Sequence, residues 1–146
     1  MIKIRLAEIK DWKQILKLLR KTPELQGSGN KIDSEYTKNY VLDSIKNKKA
    51  NIVLVAEESK KIIGILTAEI FKKKRYSYLT DFAVLPYERH RGVGSLLYKR
   101  FEEILKKDKV KTIAGITKIN NRAMQIFLKK HKIKLGEKFY FFEKEL

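Results

Sequence analysis

The run Leu79-Thr80-Asp81-Phe82-Ala83-Val84-Leu85-Pro86-Tyr87-Glu88-Arg89-His90-Arg91-Gly92-Val93-Gly94-Ser95-Leu96-Leu97 decides the fold. It passes from an apolar strand, through a short basic turn with two glycines, into a helix with an apolar stripe. A glycine-bearing turn at a helix N-terminus suits a phosphate. Glycine lets the backbone come close, the first-turn N–H groups lack helical acceptors, and the helix dipole favours negative charge. Arg89 and Arg91 would add positive charge beside those amides. Two common phosphate loops do not fit. The nucleotide-triphosphate loop needs Lys-Ser/Thr after its last glycine, and the dinucleotide fingerprint needs a glycine where Leu97 stands.

Outward from this run, the flanking sequence alternates strand and helix patterns. Residues 2–6 alternate apolar and basic side chains, as an opening strand does. Asp11 is placed to cap a helix with Trp12, Ile15, Leu16 and Leu19 on one face, ending before Pro23. Residues 26–30 are rich in turn formers, and a second helix follows over 34–45. Strands at 52–56 and 62–71 form a hairpin across the polar turn 57–61, and 76–84 is the next strand. The helix opening at Gly92 turns Val93, Leu97, Phe101, Ile104 and Leu105 inward. A short strand at 112–116 precedes a helix capped by Asn120 or Asn121, with Ala123, Ile126 and Phe127 on one face. Gly136 then opens a closing strand carrying Phe139, Tyr140, Phe141 and Phe142. The predicted order is β-α-α-β-β-β-α-β-α-β, an α/β chain with a mixed sheet in one domain, residues 1–146.

The spacing Arg89-x-x-Gly92-x-Gly94, attached to the strand end Ala83-Val84-Leu85-Pro86, resembles motif A of the GNAT (Gcn5-related N-acetyltransferase) family. The element order is similar to the GNAT fold over essentially the whole chain. The resemblance implies an acetyl-CoA-dependent N-acetyltransferase, in which a primary amine attacks the thioester directly within a ternary complex. It implies that backbone groups of Phe82, Ala83 and Val84 meet the pantetheine arm. An amide near Val84 would polarise the thioester carbonyl. Amides of Arg89, His90, Arg91, Gly92, Val93, Gly94 and Ser95 would cradle the pyrophosphate. A second family motif, roughly Asn-x-x-Ala-x-x-x-Tyr, falls on Asn120, Ala123 and Phe127. The family commonly uses that tyrosine as the acid for the departing thiolate. Phe127 has no hydroxyl, so Tyr98, Tyr140 or a water would have to serve. As base the candidates are Asp81, Glu69 and Tyr78, with Asp81 preferred because its strand feeds the carbonyl-polarising amide. Strand alternation puts Asp81 and Ala83 on one face and Thr80, Phe82 and Val84 on the other, unless a bulge intervenes. Acceptor choice would come from residues 22–40. There Leu25, Ile32, Tyr36 and Tyr40 either line an acceptor site or pack the second helix onto the sheet.

Composition bounds the rest. At 146 residues the chain can build one real core. It has no cysteine, which removes disulfides, thiolate nucleophiles and cysteine zinc sites, and its two histidines stand in no metal-ligand spacing. No apolar run approaches the ~18 residues of a membrane helix, and the strand-like start shows no signal peptide, so a cytoplasmic protein is expected. The net charge of +17, from 34 Lys+Arg against 17 Asp+Glu, is high. Clusters such as Lys72-Lys73-Lys74-Arg75 are either solvated turns or an attraction for polyanions. An alternative reading is therefore an acyl-CoA-binding sensor or a nucleic-acid-associated basic protein with weak or no transfer. Nucleic acid is not favoured, because no reading motif is present. The expected partners are a small-molecule or peptide amine and acetyl-CoA as co-substrate, with no metal, no membrane and a monomeric or homodimeric state.

Overall fold

A computed structural model describes residues 1–22 and 34–146, without the side chains of Ser34 and Tyr36. The described chain falls into two compact units, Met1–Gly115 and Ile116–Leu146. In the first unit the order is β1 (Lys3–Leu6), α1 (Trp12–Arg20), α2 (Ser34–Lys46), β2 (Asn51–Glu58), β3 (Lys61–Phe71), β4 (Tyr76–Val84), α3 (Val93–Lys107) and β5 (Thr112–Gly115). The five strands form one sheet in the order β1-β2-β3-β4-β5, antiparallel throughout except for the parallel β4–β5 pair. Parallel neighbours need a crossover, and α3 supplies it.

Strands β2 and β3 are continuous apolar runs because both sheet faces are covered. A Cβ on Gly64 would lie 3.0 Å from Leu97 and 3.1 Å from Val93, so the Gly64 face of β3 carries α3. Its neighbours of opposite parity, Ile65 and Thr67, join Val53, Leu19, Tyr40, Val41 and Ser44 around a small cavity under α1 and α2. On α3, Val93, Leu97, Phe101 and Leu105 are buried as the stripe predicts, with Tyr98 buried too and Ile104 only half-buried.

The second unit holds α4 (Arg122–Lys130) and no strand among its described residues. The closing strand expected over 136–142 is thus a correction to the predicted order, which ends at α4. Phe139, Tyr140, Phe141 and Phe142 are exposed there. The physical reason is that a run of aromatics makes a segment compatible with a strand, but only a neighbouring backbone can hold it as one. A second correction concerns Asp11. Its carboxylate does not cap α1; it turns back to accept from the Glu8 amide at 2.7 Å and from Arg5.

Candidate active site

The β4–β5 ladder pairs Tyr76 with Thr112 through Leu79 with Gly115 and goes no further. Strand β4 continues to Val84, paired with β3 as far as Gly64. The two parallel strands therefore share only the first part of β4. The Leu85 amide donates to the Ile63 carbonyl at 2.9 Å. By strand alternation, the Val84 amide and carbonyl turn to the opposite edge of β4, the edge that leads away from β3. There the Arg89 Nε donates to the Val84 carbonyl at 3.0 Å, which fastens the turn to the strand end.

The turn itself is built for backbone approach. Pro86–Glu88 make a 3₁₀ turn that the Arg89 amide closes onto the Pro86 carbonyl at 3.4 Å. His90 and Gly92 both have left-handed backbone, with φ of 64° and 79°. Gly92 sits at the N-cap of α3 with no atom within 4 Å of a would-be Cβ, so the approach to the helix start is open. The Val93 and Gly94 amides have no intrahelical acceptor, by the geometry of a first turn. These features fit the pantetheine and pyrophosphate of an acyl-CoA. The side chains do less than the sequence suggested. Arg91 lies across Glu58, with two bonds of 2.9 Å, and also meets Glu88, so carboxylates already match its charge.

Asp81 lies on the edge of β4 that pairs with β3. The β3–β4 register passes from Thr67↔Asp81 to Ala68↔Leu79, so Thr80 is an extra, bulged residue. The bulge brings two consecutive side chains, Thr80 and Asp81, against Thr67. Asp81 and Ala83 share a face, as alternation predicts, but Thr80 joins them. Thr67 Oγ1 lies 2.6 Å from Thr80 Oγ1, donates to Asp81 Oδ2 at 2.8 Å and accepts from the Asp81 amide at 2.9 Å. Burial pushes the Asp81 carboxyl up and the Thr67 bond only partly restores it. The cavity beside it, about 10 Å³, is lined by Tyr40, Ser44, Thr67 and Asp81 among apolar residues, and one water would fill it. Tyr40, expected either at an acceptor site or in packing, is half-buried on α2, beside Thr80 and Ser44. Leu25 and Ile32 lie outside the described residues, as does the side chain of Tyr36.

The other base candidates share this face. Glu69 pairs with Tyr78 across β3 and β4, and burial, Tyr76 and Glu69 push the Tyr78 phenol up. Of the substitute acids, Tyr98 is buried against Phe101, and burial and Glu102 push its phenol to about 12, so it keeps its proton. In the second unit, Asn121 rather than Asn120 caps α4, accepting from the Met124 amide at 3.1 Å. Phe127 stacks on His131 with ring centroids 4.3 Å apart. Tyr140 is fully exposed. Sequence reasoning missed Thr67 altogether; only a polar residue inside the apolar run of β3 could have flagged it.

Comparison with known proteins gives the family and the fold. The sequence model of the Acetyltransferase (GNAT) family matches residues 12–132. No curated protein matches the chain. Among solved structures, PaiA N-acetyltransferase from Thermoplasma acidophilum, in complex with coenzyme A, is 20% identical with a TM-score of 0.77, over 90% of this chain and 88% of that one. Aminoglycoside N-acetyltransferase AAC(6')-Iy with CoA is 16% identical with a TM-score of 0.81, over 100% and 96%. The aminoglycoside acetyltransferase meta-AAC0020 from an uncultured soil metagenomic sample, with sisomicin, is 19% identical with a TM-score of 0.74, over 99% and 96%. At these identities the likeness is one of fold.

Proposed function

The chain belongs to the GNAT acetyltransferase family, and from that premise we propose that it transfers an acetyl group from acetyl-CoA to a primary amine by direct attack in a ternary complex. One observation carries the reading: β4 runs five residues past its last pair with β5 and ends in an open, left-handed turn at the start of a helix. That is a place for an extended acyl-pantetheine along a strand edge and for a pyrophosphate at a helix N-terminus. Acetyl-CoA supplies the activated acetyl thioester. The Val84 amide donates to the thioester carbonyl, and the amides from Val93 onward hold phosphate. Asp81 takes the ammonium proton, directly or through a water in the adjoining cavity, so that the neutral amine can attack.

The family match crosses the boundary between the two compact units, which supports reading residues 1–146 as one functional domain. With Phe127 at the customary tyrosine position, the departing thiolate takes its proton from water or from Tyr98 or Tyr140. Thiolate is a good enough leaving group to tolerate the loss of a dedicated acid. The acceptor is a small-molecule or peptide amine; the metagenomic relative with sisomicin supports an amine-bearing small molecule. Among the described residues no helix is long and apolar enough to cross a membrane, and we place the protein in the cytoplasm, with acetyl-CoA.

Calorimetry at about 0.3 M salt tests this, because screening suppresses the general attraction of a basic protein for polyphosphates. Wild type should bind acetyl-CoA and Gly94→Trp should not, and an amine panel should then yield CoA release. Wild type that fails to bind acetyl-CoA would overturn the proposal.

A further inference from the structure

We infer that Thr67 is a positioning residue for the transfer reaction: its hydroxyl fixes the Asp81 carboxylate and links it, through Thr80 and Tyr40, to helix α2. The inference rests on the assignment of Asp81 as the base. It follows from counting protons. A threonine hydroxyl has one hydrogen to give and two lone pairs to accept with. Thr67 gives its hydrogen to Asp81 Oδ2 and accepts from the Asp81 amide. The short contact with Thr80 must then have Thr80 as donor. The Thr80 oxygen keeps its lone pairs for the Tyr40 hydroxyl, which stands beside both Thr80 and Ser44. The hydroxyl protons of Thr80 and Thr67 both point toward the carboxylate.

Thr67 is also buried, and it grips both the side chain and the amide of the residue that follows the bulge. One hydroxyl therefore locks the backbone irregularity and aims the carboxylate. No Lys or Arg among the described residues pairs with Asp81, so hydroxyl dipoles carry the stabilisation that a cation would otherwise give. The titratable groups sharing this face are Tyr40 on α2, Glu69 on β3 and Tyr78 on β4. None of them brings positive charge. The row of hydroxyls also ties the base to α2, so movement of that helix on acceptor binding would be felt at Asp81.

The test compares Thr67→Val, which keeps shape and loses the hydroxyl, with Thr67→Ser, which keeps the hydroxyl. Two readouts are taken at saturating acetyl-CoA: NMR titration of the Asp81 carboxyl carbon, and the acid limb of kcat/KM for the amine against pH. Thr67→Val should move both to higher pH by about one unit, the size expected for losing a hydrogen bond to a charged group. Thr67→Ser should leave both near wild type. If neither readout moves in Thr67→Val, the inference is overturned while Asp81 as base stands. If the carboxyl titration moves and the rate limb does not, Asp81 is not the base and both readings fall. Should Thr67→Val fail to fold, Thr80→Val must give a smaller shift in the same direction; no shift there overturns the inference equally.

Discussion

Asp11 and Asp81 are the same residue type, each withdrawn from solvent in the same compact unit, and their surroundings oppose one another. Asp11, at the corner where β1 leads to α1, faces the Arg5 guanidinium with bonds of 2.7 and 3.0 Å, and Arg5 also reaches Glu57. Burial pushes the Asp11 carboxyl up, but Arg5 and the Glu8 amide outweigh it and hold it below the ordinary range. Asp81, at the β4 bulge, has only hydroxyls and an amide nearby, and burial wins. A carboxylate matched to a cation keeps its charge at every useful pH and serves as a fastening. One held by hydroxyls alone sits closer to the pH at which it can exchange a proton. The second is what a general base requires. The difference is one of surroundings, and it is why we propose Asp81 and not Asp11 as the base.

Substitution at the two sites should therefore separate rate from stability. The largest expected effect is that of Asp81→Asn on turnover. It should lower kcat/KM by about 10²–10⁴, the range for losing a general base, with acetyl-CoA affinity unchanged by calorimetry. Its effect on stability should have the opposite sign. A carboxyl raised in the folded state binds its proton more tightly there than when unfolded. Stability therefore falls as pH rises from the ordinary aspartate value through the raised one, and stays lower above it. Asp81→Asn removes that loss, so urea unfolding at neutral pH should show an equal or higher midpoint than wild type.

Asp11→Asn comes next and acts the other way. It leaves Arg5 with Glu57 and the more distant Glu8 in a largely buried corner and should cost about 3 kcal/mol of stability by urea unfolding, since removing one member of a buried pair leaves the other poorly matched. The folded fraction should keep wild-type kcat/KM. The sign with pH also reverses. A depressed carboxyl stabilises the fold above its unfolded value and loses that contribution as pH falls through the folded one, so wild type should lose stability in acid and Asp11→Asn should lose less. Equal rate losses in the two variants would erase the contrast.

How much of this could be read from the chain follows from how local each signal is. The turn from Pro86 to Gly94 was legible because a strand end, a proline, two glycines and a helix start all lie within a few residues of one another. The element order was legible through α4 for the same reason. Asp11 was read as a helix cap and Asp81 as the preferred base, but the partners that set the charge of each were not legible. Asp11 stands where an N-cap belongs, and its true partner, Arg5, belongs to the preceding strand. Thr67 stands fourteen residues from Asp81 and meets it only through the β3–β4 register, which the bulge at Thr80 shifts. The misplaced closing strand has the same origin: residues 139–142 are a strand-favouring run of aromatics, but pairing is a property of two segments. Asn120 and Asn121 are adjacent and chemically identical, and only backbone geometry selects Asn121 as the cap.

The smallest expected effects sharpen the comparison at the turn, where backbone and side chain can be set against each other. Gly92→Ala places a Cβ in open space, so nothing collides with it. The cost is the left-handed φ of 79°, worth about 1 kcal/mol for a residue with a Cβ. Relief of that strain would rotate the amides that follow it, so acetyl-CoA binding should weaken about tenfold while Tm falls by a few degrees. Arg91→Met removes a whole positive charge from the same turn. Because Glu58 and Glu88 already occupy that guanidinium, and because the ion pairs are exposed, its Tm should not change and its loss of acetyl-CoA affinity should be smaller than that of Gly92→Ala. The order of the two affinity losses is the informative quantity. If removing the charge costs more than adding a methyl group, Arg91 leaves its carboxylates to meet the phosphates, and the site is held by side chains after all. If the methyl group costs more, the phosphate site is a property of the backbone, which is why a spacing of glycines was enough to find it.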